Sequence, residues 1–382
     1  MNTDLPAKRL AGFYFFYYAT VGAFMPYWSP YLEARGFSAT QMGIAYALMG
    51  VSRMFTPVVW GWLADRTQRG IVLVRWSSFA ALVVFLAIPF APSLLAIGAL
   101  MLAYTLFWHA LLPQFEAVAL AHLVARGADY SRVRLWGSVG FVVSVLALGP
   151  VLDRVGILPL PWLVAVAWVG MALSSWTVPS PPPMVRAADE PAVSLWSLVR
   201  KPEVVALLVA CLASQLSFAP YYNFFTLFLE RHGYTRGFAG MLWALAVIAE
   251  IGLFVVMGRL MGRFGARNLM LAALAMTSVR WALTALAVES LPTLLLLQLS
   301  HALTFGAYHA VAVHYVQRLF PPAAQGRGQA LYNAVAYGVG GSIGSLSAGF
   351  VWEKVSPEAV FLGASLVAAL GFWVALKRLP AA

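Results

Sequence analysis

Residues 31–43 read YLEARGFSATQMG, and residues 228–240 read FLERHGYTRGFAG. The two stretches align without a gap. Leu32/Leu229, Glu33/Glu230, Gly36/Gly233 and Gly43/Gly240 are identical, and Phe37/Tyr234 and Ser38/Thr235 are similar. GWLADR at 61–66 meets GRLMGR at 258–263 at the same spacing, and GPVLDRV at 149–155 meets GFVWEKV at 349–355 at nearly the same spacing. A repeat of half the chain means that one structural unit is written twice. The two copies keep the same orientation, as expected for a parallel repeat about an axis along a membrane normal.

Outward from these stretches, the chain is too apolar for water. Of its 382 residues 62% are hydrophobic and 10% charged, against about 45–50% and about 25% in soluble domains. Intrinsic disorder is excluded by the same excess of apolar residues. Apolar runs fall at roughly 10–32, 41–63, 71–91, 93–125, 133–152, 160–178, 204–229, 239–261, 268–288, 292–319, 328–351 and 357–376. Between the sixth and seventh lies a proline-rich, charged stretch at 179–202, read as a linker whose part from Leu195 to Lys201 forms a short surface helix. Lipid offers no partner for backbone polar groups, so the runs are helices. The short alternating segments of a barrel are absent.

The formal net charge of +11 is read from its placement. Of 25 Lys and Arg, only Arg35, Arg154, Arg231, Arg236 and Lys354 fall on the side away from the N terminus, and Arg53 and Arg280 lie within runs. The rest cluster on the side of the N terminus, which the positive-inside rule makes cytoplasmic for both termini. These cations fix topology and need no nucleic-acid partner. The single cysteine, Cys211, excludes an internal disulfide or a thiolate metal cluster and reads as a small buried hydrophobe. Lys8 and Arg9 precede a long aromatic segment without a small-residue cleavage site, so the first run is expected to be a retained helix.

At this point the chain resembles the major facilitator superfamily. The loop GWLADRTQR (61–69) is similar to that superfamily's signature Gly-x-Leu-x-Asp-Arg-x-Gly-Arg, departing at Gln68 where the family usually has glycine. The resemblance implies an all-α membrane protein with 12 transmembrane helices in two pseudo-symmetric six-helix bundles, residues 1–178 and 203–382, joined by a cytoplasmic linker at 179–202. It also implies a gate latch at Asp65, Arg66 and Arg69, with Asp65 able to cap the positive end of a helix in the other half. RLWGSVGF (134–141), AEIGLF (249–254), QLSHALTFGAYHAVAVHYVQRLFPP (298–322) and GRGQALYNAVAYGVGG (326–341) resemble the phenylpropionate permease branch, related at longer range to the lactose permease type of proton symporter.

A charge at a membrane helix centre costs at least about 2.5–3.5 kcal/mol. Arg53, Glu116, Glu250 and Arg280 lie well inside runs, so each must pair or face water. Arg53 and Glu250 are equivalent positions of the two repeats with opposite charges, suited to gripping the two ends of a polar solute. The resemblance to the lactose permease type implies solute binding by Glu116 and Arg134, and proton coupling by Glu250, Arg280 and His301. That type carries a second carboxylate one turn after this histidine, where Thr304 stands here. His109 precedes Glu116 by seven residues, on one helix face.

Gln298, His301, Phe305 and Tyr308 share a stripe, which adds Gln298 and Tyr308 to the substrate-binding candidates. Asn223 and Gln215, eight residues apart, are set to bond a solute or a neighbouring helix. Tyr14, Tyr17, Tyr18, Tyr27, Trp28, Tyr221 and Tyr222 read as packing or as a clamp for a ring. Gly338, Gly340, Gly341, Gly344 and Gly349 permit close helix approach. The histidine spacing does not suit a metal.

Together these readings predict a secondary transporter that takes up a small organic solute, an aromatic carboxylate, with H⁺ by alternating access. Proton-driven efflux of aromatic or cationic compounds is the alternative. The expected setting is the lipid bilayer of the inner membrane, as a monomer. No enzymatic activity, cofactor, metal or nucleic-acid partner is expected.

Overall fold

The computed structural model describes residues 6–124, 127–181 and 194–380. Among the described residues every regular element is helical. In chain order these are α1 (Ala7–Phe24), α2 (Trp28–Ala34), α3 (Ala39–Thr67), α4 (Gly70–Leu86), α5 (Leu94–Val124), α6 (Tyr130–Val155) and α7 (Leu160–Thr177). A short α8 (Leu195–Val199) precedes α9 (Pro202–Arg231), α10 (Arg236–Phe264) and α11 (Ala266–Leu286). The chain finishes with α12 (Leu291–Leu319), α13 (Gln325–Lys354) and α14 (Pro357–Arg378). Eleven of these, α3 to α7 and α9 to α14, are long and apolar enough to cross a membrane.

The first apolar run differs from a single expected helix. It breaks between α1 and α2 around Pro26, whose ring clashes with the preceding turn and which lacks an N–H to donate. Of the linker expected at 179–202, residues 182–193 lie outside the described residues. The short helix expected there is α8, with Trp196 exposed beneath the Arg200 guanidinium.

The chain condenses into two compact units. The first holds the described residues of Met1–Phe37, Ser52–Arg186 and Thr235–Met241, and the second those of Ser38–Val51, Ala187–Tyr234 and Leu242–Ala382. Helix α3 therefore begins in the second unit and finishes in the first, and α10 does the reverse.

In the first unit α1 packs on α6 and α7, and α4 on α5 and α7. Lipid tails are as apolar as leucine, so helices associate by close packing at small residues. A Cβ on Gly22 would meet Phe141 O at 2.8 Å, and one on Gly140 would strike the Phe15 carbonyl. Phe24, Trp28, Phe85, Tyr104, Trp108 and Trp168 stack and edge against one another at the centre.

In the second unit α9 packs on α13 and α14, and α11 on α14. The glycines of α13 permit this approach. A Cβ on Gly344 would meet Leu216 O and Ala219 Cβ, each at 2.6 Å, and one on Gly340 would meet Leu212 O at 3.0 Å. Two π-helical segments interrupt the α geometry, Ala302–Ala307 in α12 and Ala334–Gly340 in α13. Such wide turns concentrate at functional sites.

Candidate functional site

In the second unit, four helices deliver one connected polar group. Arg280 of α11 is fully buried. Its Nη1 donates to His301 Nδ1 (2.9 Å) and Thr304 Oγ1 (3.0 Å), and its Nη2 donates to Gln298 Oε1 (3.1 Å). Tyr221 of α9 also donates its hydroxyl to Gln298 Oε1, at 3.0 Å. The guanidinium lies 4.6 Å from the ring centroids of both Tyr221 and Trp281, within cation–π range.

Arginine has no acceptor, so His301 Nδ1 must offer its lone pair and the ring proton sits on Nε2. That nitrogen faces Glu250 Oε2 of α10 at 3.5 Å. The result is a continuous path from carboxylate through imidazole to guanidinium. Only the Glu250 end keeps modest exposure, 19% of its side chain against 6% for His301.

His301 sits at the entry to the first π segment. Its ring stacks on Phe305 (5.2 Å, 10°), which stacks on His309 (6.0 Å, 8°). His309 Nδ1 lies 3.3 Å from the Tyr332 hydroxyl and 3.2 Å from that of Tyr337. Tyr337 belongs to the second π segment, so the ring column spans both irregular turns.

A second polar group lies in the first unit. Ser52 Oγ donates to Thr105 Oγ1 (3.1 Å) and lies 2.8 Å from His109 Nδ1, next in sequence to the exposed Arg53. Glu116 Oε1 accepts the Tyr130 hydroxyl at 3.0 Å. Arg134 donates to the Tyr18 hydroxyl and lies over the Tyr18 ring (4.1 Å) and the Tyr14 ring (5.8 Å). The expected carboxylate and arginine thus sit within one cluster of tyrosines on α1 and α6.

The remaining candidates lie elsewhere. Asn223 Nδ2 donates to Ser345 Oγ at 2.7 Å. Tyr308 is fully buried, and its hydroxyl donates to Cys211 O at 3.3 Å. Asp65, Arg66 and Arg69 are exposed at the end of α3 and the loop that follows, with Arg66 over the Trp62 ring at 5.5 Å. Gln68 has φ 53°, the left-handed region where glycine carries no Cβ penalty. This is the physical reason for glycine in the signature loop. Here the side chain supplies a bond instead, Gln68 Nε2 donating to Asp65 O at 2.6 Å.

Sequence reasoning passed over Tyr130, Ser52, Thr105, Tyr332 and Tyr337 as site residues. Each is a hydroxyl in or beside an apolar run, and no periodicity marks which hydroxyls will meet a charge.

A doubled chain that is all-helical among the described residues, with long apolar helices and ionisable groups gathered inside each half, defines a polytopic membrane transporter. Residues 7–363 match the MFS_1 like family, and the chain belongs to that family. It is 28% identical over 379 residues to the probable 3-phenylpropionic acid transporter of Escherichia coli (strain K12), covering 98% of each chain. It is also 28% identical over 372 residues to the maltose permease of Geobacillus stearothermophilus, covering 95% of this chain and 92% of that one. The crystal structure of the nucleoside transporter NupG superimposes with a TM-score of 0.80 over 99% of each chain at 16% identity, a likeness of fold. The protein is a secondary transporter of the major facilitator type and not an enzyme.

Proposed function

We propose that the protein is a proton-coupled symporter that takes up an aromatic carboxylate by alternating access. The observation that carries this reading is the path Glu250–His301–Arg280. Arg280 is a buried cation whose three acceptors are neutral, and its compensating charge is Glu250, one imidazole away. An anionic solute that draws on Arg280 takes over that compensation. Glu250 then loses its partner in the path, and it is the group proposed to take up the proton. Solute binding and proton uptake become one event, so a monoanion crosses with one H⁺ and no net charge moves.

The name of the relative from Escherichia coli supports an aromatic acid as solute, as do the rings of Phe218, Tyr222 and Phe305, which pack together near His301. Arg53, Glu116, Arg134, Asn223, Gln298 and Tyr308 are proposed as further solute contacts. Asp65, Arg66 and Arg69 are proposed as a gate latch. The proposed setting is the inner membrane, with both termini cytoplasmic and the protein monomeric.

The test is uptake into proteoliposomes under an imposed pH difference, alkaline inside, with 3-phenylpropionate, maltose and a nucleoside compared. Accumulation of 3-phenylpropionate alone, insensitive to membrane potential, is expected. Accumulation of maltose but not the acid would overturn the assigned solute, and uptake indifferent to pH would overturn proton coupling.

A further inference from the structure

Away from the polar groups already described, α1 and α7 of the first unit leave a groove between them. Lys8, Gly12 and Phe16 form one stripe of α1, and Gly170, Leu173, Ser174 and Thr177 form the facing stripe of α7. The stripes run antiparallel. At one end Arg9 Nη1 donates to Thr177 O at 3.2 Å. At the other the Phe16 ring lies where a Cβ on Gly170 would strike it. From Arg9 to Phe16 is about 10 Å along the helix. The groove holds about 470 Å³, within the range of about 300–1,000 Å³ of ligand sites. Leu173 on its rim is exposed, so it opens outward.

Its chemistry changes from end to end. Lys8, Arg9 and Thr177 line the end at the start of α1, and Phe16, Gly170 and Leu173 line the deep end. Among the described residues no Asp or Glu lines it, and both cations are exposed. The hydroxyls of Ser174 and Thr177 donate to carbonyls of their own helix, Met171 O at 2.9 Å and Ser174 O at 2.7 Å. The two cations are therefore the groups left to hold an anion. Gly12 keeps the bed between the ends open, since a Cβ there would meet nothing within 4 Å.

The level of the cations is marked as well. Trp176, next to Thr177, is exposed and stands edge-on to the exposed Trp76 at 6.0 Å. Tryptophans collect at the depth of lipid headgroups. Two positive charges thus sit at headgroup depth, above an apolar bed that descends along α1 and α7.

We propose that this groove binds an anionic glycerophospholipid, with its phosphate at Lys8 and Arg9 and the first part of one acyl chain along Gly12, Phe16 and Leu173. A basic pocket between membrane helices is suited to such a headgroup. A free phosphate leaves the apolar bed unused, and a zwitterionic headgroup brings a third cation against the two.

The test uses full-length protein in phosphatidylcholine nanodiscs doped with phosphatidylglycerol that carries a diazirine in its acyl chain. After illumination, peptide mass mapping reads adducts at Phe16 and Leu173 against the mole fraction of probe. Saturable labelling of both is expected, with none above background from the same diazirine on phosphatidylcholine. Lys8→Ala/Arg9→Ala should raise the half-saturating mole fraction about 25-fold, each cation near the surface contributing about fivefold. Gly12→Leu fills the bed while leaving both cations in place, and should raise it about fivefold or more. Equal labelling by the phosphatidylcholine probe, or an unshifted half-saturation in either variant, would overturn the proposal. Displacement of the probe by inorganic phosphate would identify a free-anion site and overturn it too. Should the alanine variant fail to fold, Lys8→Gln/Arg9→Gln is read in the same way.

Discussion

Replacing Arg280 with lysine keeps the buried charge and removes the planar fork. An ammonium placed where Nη1 sits retains His301 Nδ1 and Thr304 Oγ1 as acceptors. It loses the bond to Gln298 Oε1 and part of the cation–π contact with Tyr221 and Trp281. One charge-assisted hydrogen bond contributes about 1.5–3 kcal/mol, and the lost part of the cation–π contact about 0.5–1 kcal/mol. Two facts reduce the cost. Gln298 Oε1 keeps the Tyr221 hydroxyl, so no acceptor is orphaned. Arg280 Nε is buried without a partner among the described residues, and lysine has no such donor. The net expectation for Arg280→Lys is a loss of about 2 kcal/mol. Arg280→Gln, which also leaves Glu250 uncompensated, should cost about 3–5 kcal/mol. Equilibrium unfolding in micelles, followed by tryptophan fluorescence, measures both. A lysine variant within about 0.5 kcal/mol of the parent, or a glutamine variant no worse than lysine, would refute this account of how the guanidinium is held.

Gln68→Gly should change stability by less than about 1 kcal/mol, because relief of the φ 53° backbone is offset by loss of the side-chain bond to Asp65 O; thermal unfolding checks the size. Gly344→Leu should cost more than about 2 kcal/mol and loosen α9 from α13, since Leu216 O and Ala219 Cβ each lie 2.6 Å from a Cβ position and overpacking displaces backbone; hydrogen exchange of α9 reads the loosening. At the N-terminus of α6, the Ser131 hydroxyl and N–H hold the Asp129 carboxyl below the usual carboxylate range. That cap is present above the ordinary carboxylate pKa and is lost as pH falls through the depressed one. Amide protection at Ser131 should therefore persist at neutral pH and fade in acid, and protection independent of pH would contradict it.

Much of the fold was legible in the residues because the lipid constraint is severe. Backbone groups must be satisfied within each span, so twelve apolar runs separated by charges read directly as helices. The repeat was visible because the glycines at 43, 149, 240 and 349 sit where backbones touch, and no other residue fits. The break at Pro26 was hidden inside an apolar run that continued on either side of it. The grouping of Glu250, Arg280 and His301 followed from a resemblance, and the structure does bring them together. Their other partners, Thr304, Gln298 and Tyr221, depend on helix rotation and tilt, which composition does not encode. The same holds for the tyrosines around Glu116 and Arg134. The assignment of helix starts to the opposite unit is a property of tertiary packing, and hydropathy carries no trace of it.

The central claim is that proton and solute meet through the Glu250–His301–Arg280 path. It is tested by uptake of 3-phenylpropionate by Glu250→Gln in proteoliposomes, beside the parent at equal reconstitution. The parent should concentrate the solute by up to about tenfold per unit of pH difference, since one pH unit corresponds to about 1.36 kcal/mol per proton. Glu250→Gln should exchange labelled for unlabelled solute yet reach no more than equal concentrations on both sides. Concentrative, pH-driven uptake by Glu250→Gln would contradict the account.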